Sequence, residues 1–154
     1  MPTAGPEALP PFGPTGDLPA GVHRATLAQV VERFGGETPQ RLAVANRLAH
    51  LYHAARSTGS LARFVVYGSF VTQKREPNDV DVFLIMEDGF DLAHVTCEAR
   101  LVFDHLAAQA HFGASVFWVR RLGCLGGEQA TVEHWQTKRD RDKRRIVEIV
   151  EDAL

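Results

Sequence analysis

The sequence predicts an α/β fold, of the kind also described as α+β, in which helices pack on a small mixed β-sheet. Two apolar runs rich in β-branched residues, 64–67 and 80–86, have the composition of strands. Two earlier stretches, 26–36 and 38–56, combine helix-capping residues with apolar residues at helical spacing. The chain has 154 residues, 45% of them hydrophobic, which is enough for one domain with its own core.

The first 20 residues differ in composition from the remainder. They contain six of the eight prolines and no lysine or arginine, so we expect no secretory signal peptide here. No later run approaches the ~18 apolar residues of a membrane span. Composition predicts a proline-rich arm over 1–20 that is disordered in its first residues. A single domain then covers 21–154.

Both early helices have signals at their ends. Thr26 and Gln29 form a capping-box pattern, and Gly35-Gly36 ends the first helix. Thr38-Pro39 begins the second helix, which we expect to reach about Arg56. The residues predicted to share its inward face are Leu42, Ala45, Leu48, Leu51, Tyr52 and Ala55.

Histidine and cysteine side chains are candidate metal ligands. His50 and His53 are three residues apart on the second helix, but no third ligand is nearby in sequence, which favours a polar helix surface. Cys97 and Cys124 are the only cysteines and form no C-x-x-C motif. We interpret them as reduced thiols of a cytoplasmic protein.

The stretch 64–86 carries the clearest chemical signal. Asp79 and Asp81 are two residues apart at the start of a strand, so both carboxylates point to one face, about 6.6 Å apart along the chain. Hard carboxylate oxygens favour Mg²⁺ or Mn²⁺. The residues after Asp81 are apolar on both faces, which predicts a strand in a sheet covered on both sides.

The preceding strand ends at Gly68-Ser69. Gly68 allows close backbone approach, and Ser69 is placed to begin a short helix whose free N–H groups face an anion. Lys74, in the following loop, would neutralise phosphate charge. The sequence therefore predicts a phosphate-binding turn next to a metal site.

The order of these motifs resembles the signature of the polymerase-beta-type nucleotidyltransferase superfamily. A strand is followed by Gly68-Ser69, then by a nine-residue interval and then by Asp79-Val80-Asp81. The strings GSFVTQKREPNDVDVFLIM and LPAGVHRATLAQVVERFG are also similar to a bacterial family of nucleotidyltransferase-like proteins without an established substrate, over about Leu9 to Ile149. The resemblance implies the nucleotidyltransferase fold, with Leu9 to His23 packed as an extended arm along the domain. It further implies that Gly68 and Ser69 contact nucleotide phosphates and that Asp79 and Asp81 are catalytic ligands of Mg²⁺.

The same resemblance implies a third carboxylate on the later strand, predicted at Ala114 to Val119. Ser115 stands where we expect that acid. A neutral hydroxyl is a poor replacement for an anionic metal ligand, so nucleotide binding without efficient transfer becomes an alternative. The acids that would compensate from elsewhere are Glu98, Asp104, Glu128 and Glu133.

Three further elements are predicted. A helix runs from Asp91 to about Ala110, with Leu106 among its inward residues, and a short helix covers about Glu128 to Gln136. The β-branched run 146–150 indicates a strand, with a helix as the alternative.

A basic segment precedes that last run. The net charge of the chain is −2, so any contact with a polyanion must be local. This segment is either a contact to RNA or nucleotide phosphates or a solvated hairpin tip. The cations that would make the contact are Lys138, Arg139, Arg141, Lys143 and Arg144.

Two functions from different classes follow. The first is a Mg²⁺-dependent nucleotidyltransferase that moves a nucleoside monophosphate from an NTP onto an RNA end or a protein hydroxyl. The second is a catalytically weak binding or regulatory module of the same fold, such as one component of a toxin–antitoxin or phage-defence pair with a small protein partner. An RNA-binding domain is a third hypothesis, which predicts binding that depends steeply on salt and is indifferent to Asp79→Asn.

Overall fold

The structure is a computed structural model. It describes residues 9–14, 16, 18–19, 21–72, 77, 80–124, 127, 130–132 and 145–151, with Ser69 and Arg145 represented by their backbone.

In the described part of the chain, one mixed sheet contains five strands: β1 (Gly21–Thr26), β2 (Leu61–Tyr67), β3 (Val80–Met86), β4 (Ala114–Arg120) and β5 (Arg145–Val150). Their spatial order is β1-β5-β2-β3-β4. The two outer pairs, β1 with β5 and β3 with β4, are parallel, whereas β2 is antiparallel to both of its neighbours. The predicted small mixed sheet is confirmed, as is the strand interpretation of 146–150.

The first two helices, α1 (Leu27–Gly35) and α2 (Pro39–Arg56), have the predicted bounds. Thr26 caps α1 through both bonds of a capping box: its Oγ1 accepts from the Gln29 N–H at 3.2 Å, and its own N–H donates to Gln29 Oε1 at 2.9 Å. Thr38 accepts from the Arg41 N–H at 3.0 Å at the start of α2. These caps satisfy N–H groups that the helices cannot pair internally.

The inward face of α2 differs from the prediction at one position. Leu42 is exposed, whereas the preceding residue, Arg41, is only 2% exposed. Arg41 lies three and four residues before the buried Val44 and Ala45, so it continues their stripe along the helix. Leu42 was predicted to face inward because it is apolar. Arg41 was not, because an arginine is almost never fully buried unless it is paired.

The single helix predicted from Asp91 to Ala110 is wrong. The region contains a 3₁₀ turn (Leu92–His94) and two helices, α3 (Cys97–Leu101) and α4 (His105–Phe112). Asp91 and Asp104 each accept a hydrogen bond from the residue two or three positions later, at 3.0 Å, and so begin a new segment. This change of direction leaves Leu106 exposed instead of inward.

Apolar side chains cover both faces of the sheet. Val82, Leu84 and Met86 of β3 belong to the main core with the helices. Phe83 and Ile85 point to the other face and pack with Val132 and Cys124 among others. The prediction that β3 is buried on both sides is confirmed.

The described part of the N-terminal arm lies against the main core. Leu18 is buried, and Leu9 and Phe12 pack on the core. Arg33 of α1 donates to the Leu9 and Pro10 carbonyls at 3.2 and 2.8 Å. The following strand, β1, was not predicted, because its pairing partner β5 is more than a hundred residues later in the sequence.

Near the C terminus, residues 130–132 are helical and Val132 is buried. Trp135 and the basic residues 138–144 lie outside the described residues. Cys97 and Cys124 are both free thiols. Among the residues that the structure describes, no helix has the length and apolarity needed to cross a bilayer.

Candidate functional site

The candidate site lies at one end of the sheet. Strand β2 ends there, and because β3 and β5 are antiparallel to β2 and β4 is parallel to β3, these three strands all begin there. The β2–β5 ladder reaches the Val66–Val147 pair, close to the end of β2 and the start of β5. All five described strands therefore have an end at this side of the sheet, and the candidate residues lie on the adjacent strands β2, β3 and β4.

Gly68 forms the turn after β2. Its φ of +84° is a conformation that glycine adopts at little cost, and its carbonyl accepts from the Val71 N–H at 3.3 Å. A short 3₁₀ helix, Ser69–Val71, follows directly. Phe70 and Val71 are buried in the main core, which anchors the turn from below.

Asp81, the second residue of β3, lies against this turn. Its Cα is registered with Tyr67 of β2 on one side and with Ser115 of β4 on the other. A Cβ atom placed on Gly68 would lie 3.1 Å from Cγ of Asp81 and would overlap with its Oδ2. Only a residue without a side chain therefore lets the Gly68 turn and the Asp81 carboxylate meet.

Gly68→Ala is expected to lower the free energy of unfolding by about 2–3 kcal/mol, because left-handed alanine costs roughly 1–2 kcal/mol and overlap with Asp81 adds to that cost. Urea unfolding measures it. Gly59→Ala is the matched control: Gly59 has φ +73°, but a Cβ there would meet nothing within 4 Å. If both variants lost the same free energy of unfolding, overlap with Asp81 would make no contribution to the Gly68→Ala loss.

Ser115 is the residue of β4 registered with Asp81, and side chains at registered positions of a parallel pair lie on the same face of the sheet. The position predicted for a third acid is therefore beside Asp81, and it holds a hydroxyl. Two of the compensating acids have other roles: Glu98 bonds to histidines, and Asp104 caps α4. Glu128 and Glu133 lie outside the described residues.

Other predicted site residues fall where the structure is not described. Asp79 and Lys74 are outside the described residues, as are the basic residues Lys138, Arg139, Arg141, Lys143 and Arg144. Ser69 is placed by its backbone, next to Gly68. The structure thus brings together Gly68, Ser69 and Asp81 from the predicted set.

The first turn of α2 also reaches this end of the sheet, through residues that sequence reasoning missed. Arg41 donates to the Phe70 carbonyl at 2.8 Å, and Gln40 donates to the Pro77 carbonyl at 2.9 Å. A polar pair at the start of an amphipathic helix normally lies in solvent. The sequence signal for the burial of Arg41 is its position, because Arg41 lies on the same face of α2 as the apolar residues.

His50 bonds to a carboxylate, while His53 lies beside the ring of Tyr52. His50 Nε2 contacts Oε1 of Glu98, and His111 Nε2 donates to Oε2 at 2.8 Å. The bond from His111 lowers the pKa of Glu98, partial desolvation raises it, and His50 lowers it further. Each histidine uses a different carboxylate oxygen, so the three groups bond to one another instead of facing a common point.

In the described part of the chain, no group of three or more histidine, cysteine, aspartate or glutamate side chains is arranged to hold a metal ion. At the candidate site, the described acid is Asp81, since Asp79 falls outside that part. A carboxylate with a neighbouring hydroxyl presents the oxygen donors that Mg²⁺ prefers.

Two clefts lined by described residues lie away from this site. One of about 400 Å³ lies at the opposite end of the sheet, between Leu61 at the start of β2 and Glu151 after β5. Neither Gly68 nor Asp81 lines it. The candidate site is defined by its chemistry and by the meeting of strand ends.

Comparison with known proteins identifies a family without assigning an activity. Residues 10–150 match a family model described as "Family of unknown function (DUF6932)". No curated protein and no solved structure matches the chain.

Proposed function

This chain belongs to the DUF6932 family, whose function is unknown, and we propose that it is a Mg²⁺-dependent nucleotidyltransferase. It would move a nucleoside monophosphate from an NTP onto an RNA end or a protein hydroxyl. The observation that carries the proposal is the contact between the Gly68 turn and the Asp81 carboxylate, where β2 ends beside the start of β3 and β4.

Each residue of the site has a separate role in the proposed reaction. Gly68 and Ser69 would bind phosphate oxygens through the backbone, as positive-φ turns that lead into a helical segment commonly do. Lys74 would add positive charge to the phosphates. Asp79 and Asp81 would hold Mg²⁺, which when bound neutralises phosphate charge and polarises the phosphorus–oxygen bond.

An acceptor with its own negative charge fits the basic segment. Lys138, Arg139, Arg141, Lys143 and Arg144 directly precede β5 in the sequence, and β5 begins at the candidate site. Contacts from these cations to RNA phosphates would favour an RNA end as the acceptor. The reduced thiols and the use of NTP favour a cytoplasmic location.

Ser115 supports a second candidate function. Because this residue is registered with Asp81 and carries no charge, the site would hold an NTP without activating an acceptor hydroxyl. The chain would then be a nucleotide-binding or regulatory module, one half of a pair with a small protein partner as in toxin–antitoxin or phage-defence systems.

Transfer of α-labelled nucleotide from each of the four NTPs separates the two functions. The acceptors are total cellular RNA and protein, with Mg²⁺ or Mn²⁺, and NTP binding is titrated in parallel. We expect label in one acceptor class and none after EDTA. Binding without transfer would favour the module, and transfer gained by Ser115→Asp would then identify the missing acid. Absence of both binding and transfer would contradict both functions.

A further inference from the structure

We propose that Gln40 and Arg41, two consecutive residues in the first turn of α2, are positioning residues that hold both ends of the loop between Gly68 and Asp81. This inference rests on the proposed function, because it assigns to the pair the spacing of the phosphate-binding and metal-binding halves of the site.

Arg41 holds the first end of the loop. Its Nη1 donates to the Phe70 carbonyl at 2.8 Å and its Nη2 to the Thr72 carbonyl at 2.6 Å. Nη1 also donates to the Phe34 carbonyl at 3.0 Å, near the end of α1. The fixed fork of the guanidinium therefore ties the segment after Gly68 to two helices at once.

Burying the charged Arg41 guanidinium costs free energy. Desolvation lowers the pKa of Arg41, and the charge of Glu37 acts in the opposite direction. An apolar side chain of similar volume would fill the same space without that cost. Such a side chain could not donate hydrogen bonds to the Phe70 and Thr72 carbonyls.

Gln40 holds the other end. Its Nε2 donates to the carbonyl of Pro77, a buried residue two positions before Asp79. The two contacts leave only residues 73–76 between the anchored segments, and Lys74 is among them. Consecutive residues on one rigid helix thus set the distance between the start and the end of the loop.

Such a template would matter because phosphoryl transfer depends on positioning, and a displacement of about 1 Å can cost roughly 10²-fold in rate. Arg41→Lys keeps the charge, but a single ammonium cannot reproduce the fork. Gln40→Ala removes the second anchor at a half-buried position and is the variant that remains informative if Arg41→Lys fails to fold. Asn46→Ala, on an exposed position of the same helix, is the matched control.

The experiment combines hydrogen exchange with the NTP assays. In both variants we expect peptides covering residues 68–81 to exchange about fivefold to tenfold faster, the factor that corresponds to a lost hydrogen bond. Exchange elsewhere and the behaviour of Asn46→Ala should match the wild type. The transfer rate at saturating NTP should fall by about 10-fold to 10²-fold, with little change in the urea midpoint of Gln40→Ala.

Failure of this inference is distinguishable from failure of the proposed function. If the wild type neither binds nor transfers nucleotide, yet exchange rises only in 68–81, the function is wrong and the loop anchors stand. If exchange in 68–81 is unchanged in Gln40→Ala, or rises equally over the whole chain, the anchoring role is overturned whatever the activity.

Discussion

Asp81→Asn is expected to reduce metal-dependent nucleotide transfer by on the order of 10²–10³-fold, the usual cost of removing one preorganised electrostatic group. Asparagine has the same shape as aspartate, so it can occupy the space that Gly68 leaves beside β3. It lacks the charge that attracts a divalent cation. The variant should therefore remain folded while it loses the affinity for NTP that depends on Mg²⁺.

Asp91→Asn is the matched control for this experiment. Asp91 is exposed, follows the opposite end of β3 and accepts a capping hydrogen bond from the Ala93 N–H at 3.0 Å, which asparagine can also accept. Transfer rates and calorimetric titration of NTP with Mg²⁺ give the two readouts. A wild-type transfer rate in Asp81→Asn would remove Asp81 from the site and with it the main support for the proposed function.

Glu148→Ala is expected to lower the free energy of unfolding by about 3 kcal/mol, at the low end of the range for breaking a buried ion pair. Glu148 lies in the middle of β5 and accepts from Arg63 Nε at 3.2 Å and from Nη2 at 2.6 Å. Arg24 Nε is 3.9 Å away on its other side. Removing the carboxylate breaks both hydrogen bonds from the largely buried Arg63 guanidinium.

Exposure distinguishes this pair from a matched control. The side chains of Arg63 and Glu148 are 11% and 9% exposed, whereas Arg56 and Glu151 form a pair of the same 2.6 Å length at 44% and 69% exposure. Glu151→Ala should therefore cost less than about 1 kcal/mol in the same urea measurement. If both variants lost a similar free energy of unfolding, burial would not increase the contribution of the Arg63–Glu148 pair to stability.

Local signals predicted the helix ends. Thr26 with Gln29 and Thr38 with Pro39 fix α1 and α2 through bonds to residues three positions away, so the sequence alone contains the information. The breaks at Asp91 and Asp104 used the same chemistry. They were missed because the apolar pattern across them continues at helical spacing.

Long-range pairing explains the other differences. Strand β1 exists because β5 pairs with it, and nothing in its own six residues distinguishes it from an extended arm. Arg41 is buried because carbonyls from distant segments surround it. By contrast, the positions of Gly68 and Asp81 were predictable, since each stands at the end of a strand whose apolar pattern identifies it.

The position of β5 in the sheet has a consequence for biosynthesis. The fifth described strand lies between β1 and β2, so the described sheet cannot be completed until residues 145–150 have been synthesised. Until then, the first strand waits for a partner more than a hundred residues away, which gives the fold a high contact order and predicts slow folding. The nascent chain would expose apolar strand edges during that interval, and exposed edges favour aggregation.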